Sequence, residues 1–252
     1  MIHEAEHRIL HPHPRVNDLC GVLLALFFPA PFHLLRQGHL GHHLRNRSDD
    51  EAFDFYVAGE SALWRWAQLY GTLLGLFWVA IVLGNLVAAV LPALLRKPAT
   101  PFDRSADALR QSLNPRYDRL IRLEAWAAIF LHVALMRAFQ VPPSHYAAVL
   151  FGFGFSWSAM QYVHHFGTVR HVAYGARNLR TFGWLDRIWL NHNWHLNHHL
   201  RPTVPWVHLP NLFRGPQFED REALLRAYLR MWRGPRFSTQ RVENRFAGKI
   251  IP

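Results

Sequence analysis

The sequence predicts an all-α integral membrane helical bundle with a histidine-rich cap on its cytosolic side, built as one domain over residues 1–252. Three observations carry this expectation. Half of the residues are hydrophobic, and the stretch Ala67–Leu95 runs 29 residues without a charge. Basic residues flank the apolar stretches rather than interrupting them. Histidines fall into three clusters, His3-x-x-x-His7, His39-x-x-His42-His43 and His195-x-x-His198-His199.

Each element follows in order along the chain. Residues 1–19 are polar and rich in His and Pro, and Met1-Ile2 leads straight into charged sequence without the apolar core of a secretory signal. Residues 20–32 are apolar but number only 13, with Pro29 and Pro31 inside them. A span needs roughly 20 apolar residues, so this is a re-entrant or interfacial segment. Such a segment leaves the first two clusters on one side of the bilayer. Residues 44–66 are mixed and acidic early, at Asp49, Asp50, Glu51 and Asp54. Ala67–Leu95 is the strongest span, and Trp64, Trp66 and Tyr70 at its start fit an aromatic interfacial belt.

A basic connector follows over residues 96–124, carrying Arg96, Lys97, Arg104, Arg110, Arg116, Arg119 and Arg122. Ala125–Met136 is apolar but short, and Arg137 divides it from the second span, Ala138–Val163. Pro142-Pro143-Ser144 marks a helix start there, with Ser144 as N-cap. Residues 164–252 form the cap and tail. Within them Glu219–Arg233 reads as an amphipathic helix whose apolar stripe is Leu224, Leu225, Tyr228, Leu229 and Trp232. Acids stand at its start, Arg226, Arg230 and Arg233 towards its end, and Gly234-Pro235 stops it.

For all the histidines to share one side, an even number of crossings must separate His43 from His165. Spans at 67–95 and 138–163 satisfy that count. They also place the basic connector on the opposite side, against the positive-inside rule. A kinked hairpin within 67–95 removes the conflict, although 29 residues are few for two crossings.

Composition narrows the function. A net charge of +11 suits nucleic acid or an anionic membrane face. The basic residues flank apolar runs and form no single patch, so no nucleic-acid partner is expected. The lone Cys20 excludes an internal disulfide, a zinc finger with paired cysteines and a four-cysteine iron–sulfur cluster.

The clusters carry the chemistry. Residues three and four apart share one face of a helix, so each cluster aims two or three imidazoles at one point. Together they supply more nitrogen ligands than one zinc site uses, and enough for two metals. Neutral imidazole suits Zn, Fe, Cu and Ni, and the clusters alone do not choose. His11, His13, His132, His145 and His208 are read as satisfied or solvated histidines. Asp186, Asn191 and Asn193 stand close enough in sequence to orient ligand rings from outside, with a loop carboxylate as the equal alternative for Asp186. A non-catalytic membrane protein that binds or transports metal is the alternative from another class. It expects charged or metal-binding groups inside the spans, where Ala67–Leu95 has only Tyr70, at its edge, and Ala138–Val163 has His145 and two tyrosines.

The motifs have a specific resemblance. Asn193-Trp194-His195-Leu196-Asn197-His198-His199-Leu200-Arg201-Pro202-Thr203-Val204-Pro205-Trp206, with Leu209-Pro210 after it, resembles the third histidine box of membrane fatty-acid desaturases. Phe32-His33 through Arg36, followed by His39-Leu40-Gly41-His42-His43, is similar to the second box. His3-Glu4-Ala5-Glu6-His7, followed by Asn17 and Gly21, is similar to the first. Gln161-Tyr162-Val163-His164-His165-Phe166-Gly167 resembles the motif that supplies one more histidine. His165 aligns with that ligand, His164 is its alternative, and Gln161 stands where the family has an Asn that approaches the metal through water. The resemblance implies two non-haem irons held by His3, His7, His39, His42, His43, His165, His195, His198 and His199.

It further implies O2 as co-substrate and a separate electron donor of the ferredoxin or cytochrome b5 type. The implied substrate is a fatty acyl or related lipid chain, oxidised within the bilayer, with the boxes on the cytoplasmic side. Taking hydrogen from an unactivated methylene needs an oxidant no side chain supplies, which an iron centre and O2 provide. Hydroxylases and ketolases acting on lipids, alkanes or carotenoids carry similar boxes and are the alternative on the same scaffold. In the family an apolar hairpin usually precedes the first box, which here begins at residue 3. The resemblance therefore implies either a missing N-terminal hairpin or a shortened member.

Overall fold

Proline and glycine decide where the helices begin and break. The computed structural model describes residues 1–96 and 103–252, which places Lys97 of the basic connector outside the described residues. Helix α1 covers Ile2–Glu6, α2 Pro14–Leu26 with Pro14 in its first turn, and α3 Phe32–Arg45 directly after Pro31. A proline suits the first turn because its missing N–H has no intrahelical acceptor there. Next come α4 (Ala62–Leu73), α5 (Leu76–Val90) and a 3-10 turn over Pro92–Arg96. Helix α6 (Arg104–Ser112) is capped by Asp103, whose side chain accepts from the Ala106 N–H at 3.1 Å. Helices α7 (Asp118–Ala138) and α8 (Pro143–Met160) are the longest. The remainder is short: α9 (Gly183–Ile188), α10 (His195–Leu200), a 3-10 turn over Trp206–Asn211, α11 (Pro216–Glu219) and α12 (Leu224–Met231). Four two-residue strands complete the described chain: β1 (Phe55–Tyr56), β2 (Leu179–Arg180), β3 (Glu222–Ala223) and β4 (Arg236–Phe237).

The chain divides into two compact units, Met1–Gly41 with Thr72–Ala159 and Ala247–Pro252, and His42–Gly71 with Met160–Phe246. In the first, small residues let helices approach. Ala88 and Ala89 of α5 pack against Ile121 and Ala125 of α7. Ala5, Ala25 and Phe32 join α1, α2 and the start of α3. Asn17 ties α1 to α2, donating to the Ala5 carbonyl at 2.9 Å and accepting from the Leu10 N–H. Large apolar side chains lie outward along the same helices, among them Leu76, Leu83, Phe130, Val149 and Phe153.

The second unit is held by polar groups. β1 pairs in parallel with β4 and β2 in parallel with β3, in registers Phe55↔Arg236 and Leu179↔Glu222. Arg47 and Asp54, 0% and 1% exposed, form a two-point ion pair at 2.5 and 3.1 Å. Asp54 also accepts from the Tyr162 hydroxyl and the Gly167 N–H, each at 2.6 Å. This network fixes the turn after α8.

Several expectations change. Ala67–Leu95 is not one helix. It holds the end of α4, then α5 and the 3-10 turn, and the break falls at Gly75 with φ 89°. That left-handed backbone favours glycine, and a Cβ there would also meet the Phe155 ring at 3.1 Å. Among the described residues no single helix is long and apolar enough to cross a membrane, whereas α4 and α5 qualify together as a bent pair. Helix α5 is apolar but has 15 residues. Helix α7 has 21 residues but carries Arg122, Glu124 and Arg137. In the 138–163 stretch, Ala138 ends α7 and α8 starts at Pro143, so Ser144 lies within the first turn rather than at the cap. The Glu219–Arg233 helix is split by β3, and α12 buries Ala227 and Met231. Leu225, Leu229 and Trp232 of the expected apolar stripe are exposed.

Candidate metal centre

The first cluster belongs to the first unit. His3 lies on α1, His7 follows its last residue, and His39 is carried by α3. One nitrogen from each lies within 4.8 Å of the others. The rings meet edge to face at 4.6–4.9 Å between centroids, and His7 Nε2 is 2.7 Å from His39 Nε2. Burial lowers His7 to about 4, which keeps its imidazole neutral. Glu4 and Glu6 of α1 are buried beside these histidines, and burial raises Glu6 to about 7.

The second unit gathers His42 and His43 at the end of α3, His165 from the turn after α8, and His195, His198 and His199 from α10. Four of them, His42, His165, His195 and His199, bring one nitrogen each to within 4.8 Å of one another. His195 Nε2 is 3.1 Å from both His165 Nε2 and His199 Nε2, and His43 Nε2 is 2.9 Å from His198 Nε2. Burial, reinforced by the neighbouring rings, holds His165, His195 and His199 well below the ordinary imidazole value. They are therefore neutral, which is the ligating form.

Outer groups fix which nitrogen faces inward. His165 Nδ1 donates to the Gly175 carbonyl at 2.8 Å, so its Nε2 carries a bare lone pair. His42 Nδ1 donates to Glu51 at 2.7 Å, which fixes the orientation of the ring from outside the cluster. The other Glu51 oxygen accepts from Arg45 Nε at 2.8 Å. Burial pushes the Glu51 carboxyl up, but His42 and Arg45 outweigh it and hold it below its ordinary value. Imidazole nitrogens about 3 Å apart are bridged by a proton or by a cation, and a metal ion satisfies several of them at once. The donor set thus fits a metal ion, with carboxylate and carbonyl orienting the rings from outside.

The platform under α10 is Asn178. Its side-chain oxygen accepts from the Leu196 and Asn197 N–H groups at 3.0 and 3.3 Å, two donors that a helix start leaves without partners. Its amide donates to Asn197 Oδ1 at 2.9 Å. Gly175 has a steric reason to be glycine, because a Cβ would meet Arg47 Cγ at 2.2 Å and the His171 carbonyl at 2.4 Å.

The outer residues expected from sequence are placed differently. Asp186 accepts from the Thr181 hydroxyl, and Asn191 donates to the Trp206 carbonyl at 3.2 Å. Asn193 donates to the Leu179 carbonyl at 3.1 Å and so holds β2. These three shape the loops around α9. Gln161 is half-buried in the turn after α8. Glu51, Gly175 and Asn178 do the orienting, and only Glu51 left a sequence trace, in the acidic run after α3. Of the other histidines, His132 links Tyr146 Oη at 2.6 Å and the Leu26 carbonyl at 3.0 Å, while His13, His145 and His208 are exposed.

Neither the curated proteins nor the solved structures contain a match to this chain. The sequence profile of one family, described as Fatty acid desaturase, matches residues 1–235 and so takes in every histidine of both clusters. The chain belongs to the fatty acid desaturase family and is a desaturase-like oxidoreductase.

Proposed function

We propose that this enzyme is an O2-dependent membrane desaturase that introduces a double bond into a fatty acyl or related lipid chain, with one iron at each histidine cluster. The observation that carries the reading is the convergence of one nitrogen each from His42, His165, His195 and His199 to within 4.8 Å of one another. Nitrogen-only ligation by histidine suits iron and leaves positions open for a further ligand. Bound iron supplies the O2-derived oxidant that an unactivated methylene requires. The balance is two hydrogens removed from adjacent carbons, one O2 reduced to two waters, and two further electrons and two protons taken up. We assign those electrons to a separate donor of the ferredoxin or cytochrome b5 class; the single Cys20 rules out a four-cysteine iron–sulfur cluster within these 252 residues.

The chain's own residues hold the site. His42 and His165 are locked in one tautomer by Glu51 and the Gly175 carbonyl. Asn178 anchors the start of α10 and with it His195, His198 and His199. The many outward apolar side chains of α5, α7 and α8 support residence in a bilayer, since exposing them to water is unfavourable. We place the histidine clusters on the cytoplasmic side.

Expression in a host with a simple lipid profile tests the function. Acyl chains two hydrogens lighter, carrying a new double bond, are expected in iron-replete cells. Products with an added oxygen would instead assign a hydroxylase or ketolase.

A further inference from the structure

A third set of histidines lies in the second unit, beside the one described. His164, His192 and His195 each bring a nitrogen to within 4.8 Å of the others. Their ring centroids are 4.6–5.0 Å apart. His192 belongs to none of the three sequence clusters, and His164 is the neighbour of the residue assigned to the centre.

Two of these rings carry unsatisfied nitrogens. His164 Nε2 and His195 Nδ1 are buried and have no hydrogen-bond partner, on residues 1% and 6% exposed. A buried polar atom left without a partner is rare. Here two such atoms belong to adjacent rings, yet they do not bond to each other. His195 Nε2 is already turned towards His165 and His199. Its opposite edge is therefore the one available to His164 and His192. The chain also spends strain to deliver His192. Leu190 and Asn191, immediately before it, both hold left-handed backbone with φ 50° and 52°. For leucine that conformation is an outlier, and such residues persist where the surroundings impose them.

We propose that His164, His192 and the Nδ1 edge of His195 hold a further divalent metal ion, joined through the His195 ring to the metal of the desaturase centre. The sharing of His195 rests on the function proposed above, while the His164–His192 pair does not. The set has neither carboxylate nor thiolate, so it suits a borderline ion of the zinc, cobalt or copper class rather than magnesium or calcium. Three protein imidazoles leave the fourth tetrahedral position for water. With both nitrogens of His195 ligating, that ring is an imidazolate, and its Nδ1 proton is released to solvent when the ion binds. The negative ring also offsets charge in a site without acids.

Crystals of the whole protein soaked in cobalt chloride test this by anomalous scattering at the cobalt edge. A peak bounded by His164 and His192 is expected. Peaks among His42, His165, His195 and His199 with none at His164 and His192 would overturn the third site and leave the desaturase reading standing. A peak at His164 and His192 alone would support the site and remove the desaturase reading instead. No peak at either would overturn both. In solution, metal analysis after cobalt loading and desalting gives the same decision. His192→Asn should lose one equivalent against wild type, whereas His199→Asn should lose an ion from the other set. Full metal content in His192→Asn would overturn the inference, and the wild-type crystals decide if that variant does not fold.

Discussion

Replacing Glu51 by glutamine is expected to weaken metal binding by about 10–100-fold while leaving the fold in place. Glu51 touches no metal in this arrangement. Its carboxylate accepts from His42 Nδ1 at 2.7 Å and from Arg45 Nε at 2.8 Å, one oxygen to each. Glutamine can keep only one of those bonds. With its oxygen on His42, its NH2 faces the Arg45 guanidinium, a donor against a donor. With its oxygen on Arg45, its NH2 faces His42 Nδ1 and favours the tautomer with the proton on Nε2. That proton blocks ligation. Charge-assisted hydrogen bonds of this kind contribute roughly 1.5–3 kcal/mol, and a tenfold change in affinity corresponds to about 1.4 kcal/mol. Both routes therefore lead to a loss of one to two orders of magnitude. The assay is competition between detergent-purified protein and a chelator of known affinity, using cobalt, with circular dichroism as the check on folding. His208→Ala, at an exposed site, is the control. A Glu51→Gln protein that folds and binds cobalt within twofold of wild type would refute the orienting role of Glu51.

Other outcomes follow from the same structure. Asp54→Ala leaves buried Arg47 without its counter-ion and should cost about 3–5 kcal/mol in denaturant titrations; a loss below about 1 kcal/mol would remove the network from the account of the fold. Asn178→Ala strips two N–H acceptors from the start of α10 and should destabilise by about 1–3 kcal/mol while lowering cobalt occupancy. Unchanged occupancy would show that α10 is held by other means. His7, lowered to about 4, binds fewer protons folded than unfolded. Its contribution to metal-free stability is thus complete above its ordinary value of 6.5 and is lost as pH falls from there to about 4, on the order of 3 kcal/mol. His7→Gln should flatten that part of the pH–stability curve, and an unaltered curve would contradict the burial effect. Alanine at His198 should abolish turnover, whereas alanine at His13 should be tolerated; near-normal turnover by His198→Ala with iron bound would overturn its place among the ligands.

The histidines were legible in the sequence because ligation imposes spacing. Three- and four-residue intervals on a helix declare a shared face, and α3 and α10 carry their clusters in that form. The groups that orient the rings were hidden for a physical reason. Glu51 reaches His42 through a turn rather than along one helix, and His165 is fixed by a backbone carbonyl, which has no residue identity to read. Asn191 and Asn193 stand next to the third cluster in sequence, yet their amides donate to the Trp206 and Leu179 carbonyls, and neighbourhood along the chain does not reveal such partners. Hydropathy found the apolar stretch 67–95 but not its break, since a hydropathy pattern carries no information on the left-handed backbone that Gly75 adopts. The two-residue strands are set wholly by tertiary pairing, and β3 divides what looked like one helix.

The assignment of the histidine clusters to iron is tested most directly by metal analysis of protein purified after anaerobic loading with ferrous iron, followed by exposure to O2 with a chemical reductant. Two irons per chain, with O2 consumed, are expected. Stoichiometric zinc that iron does not displace, with no O2 consumption, would contradict the assignment.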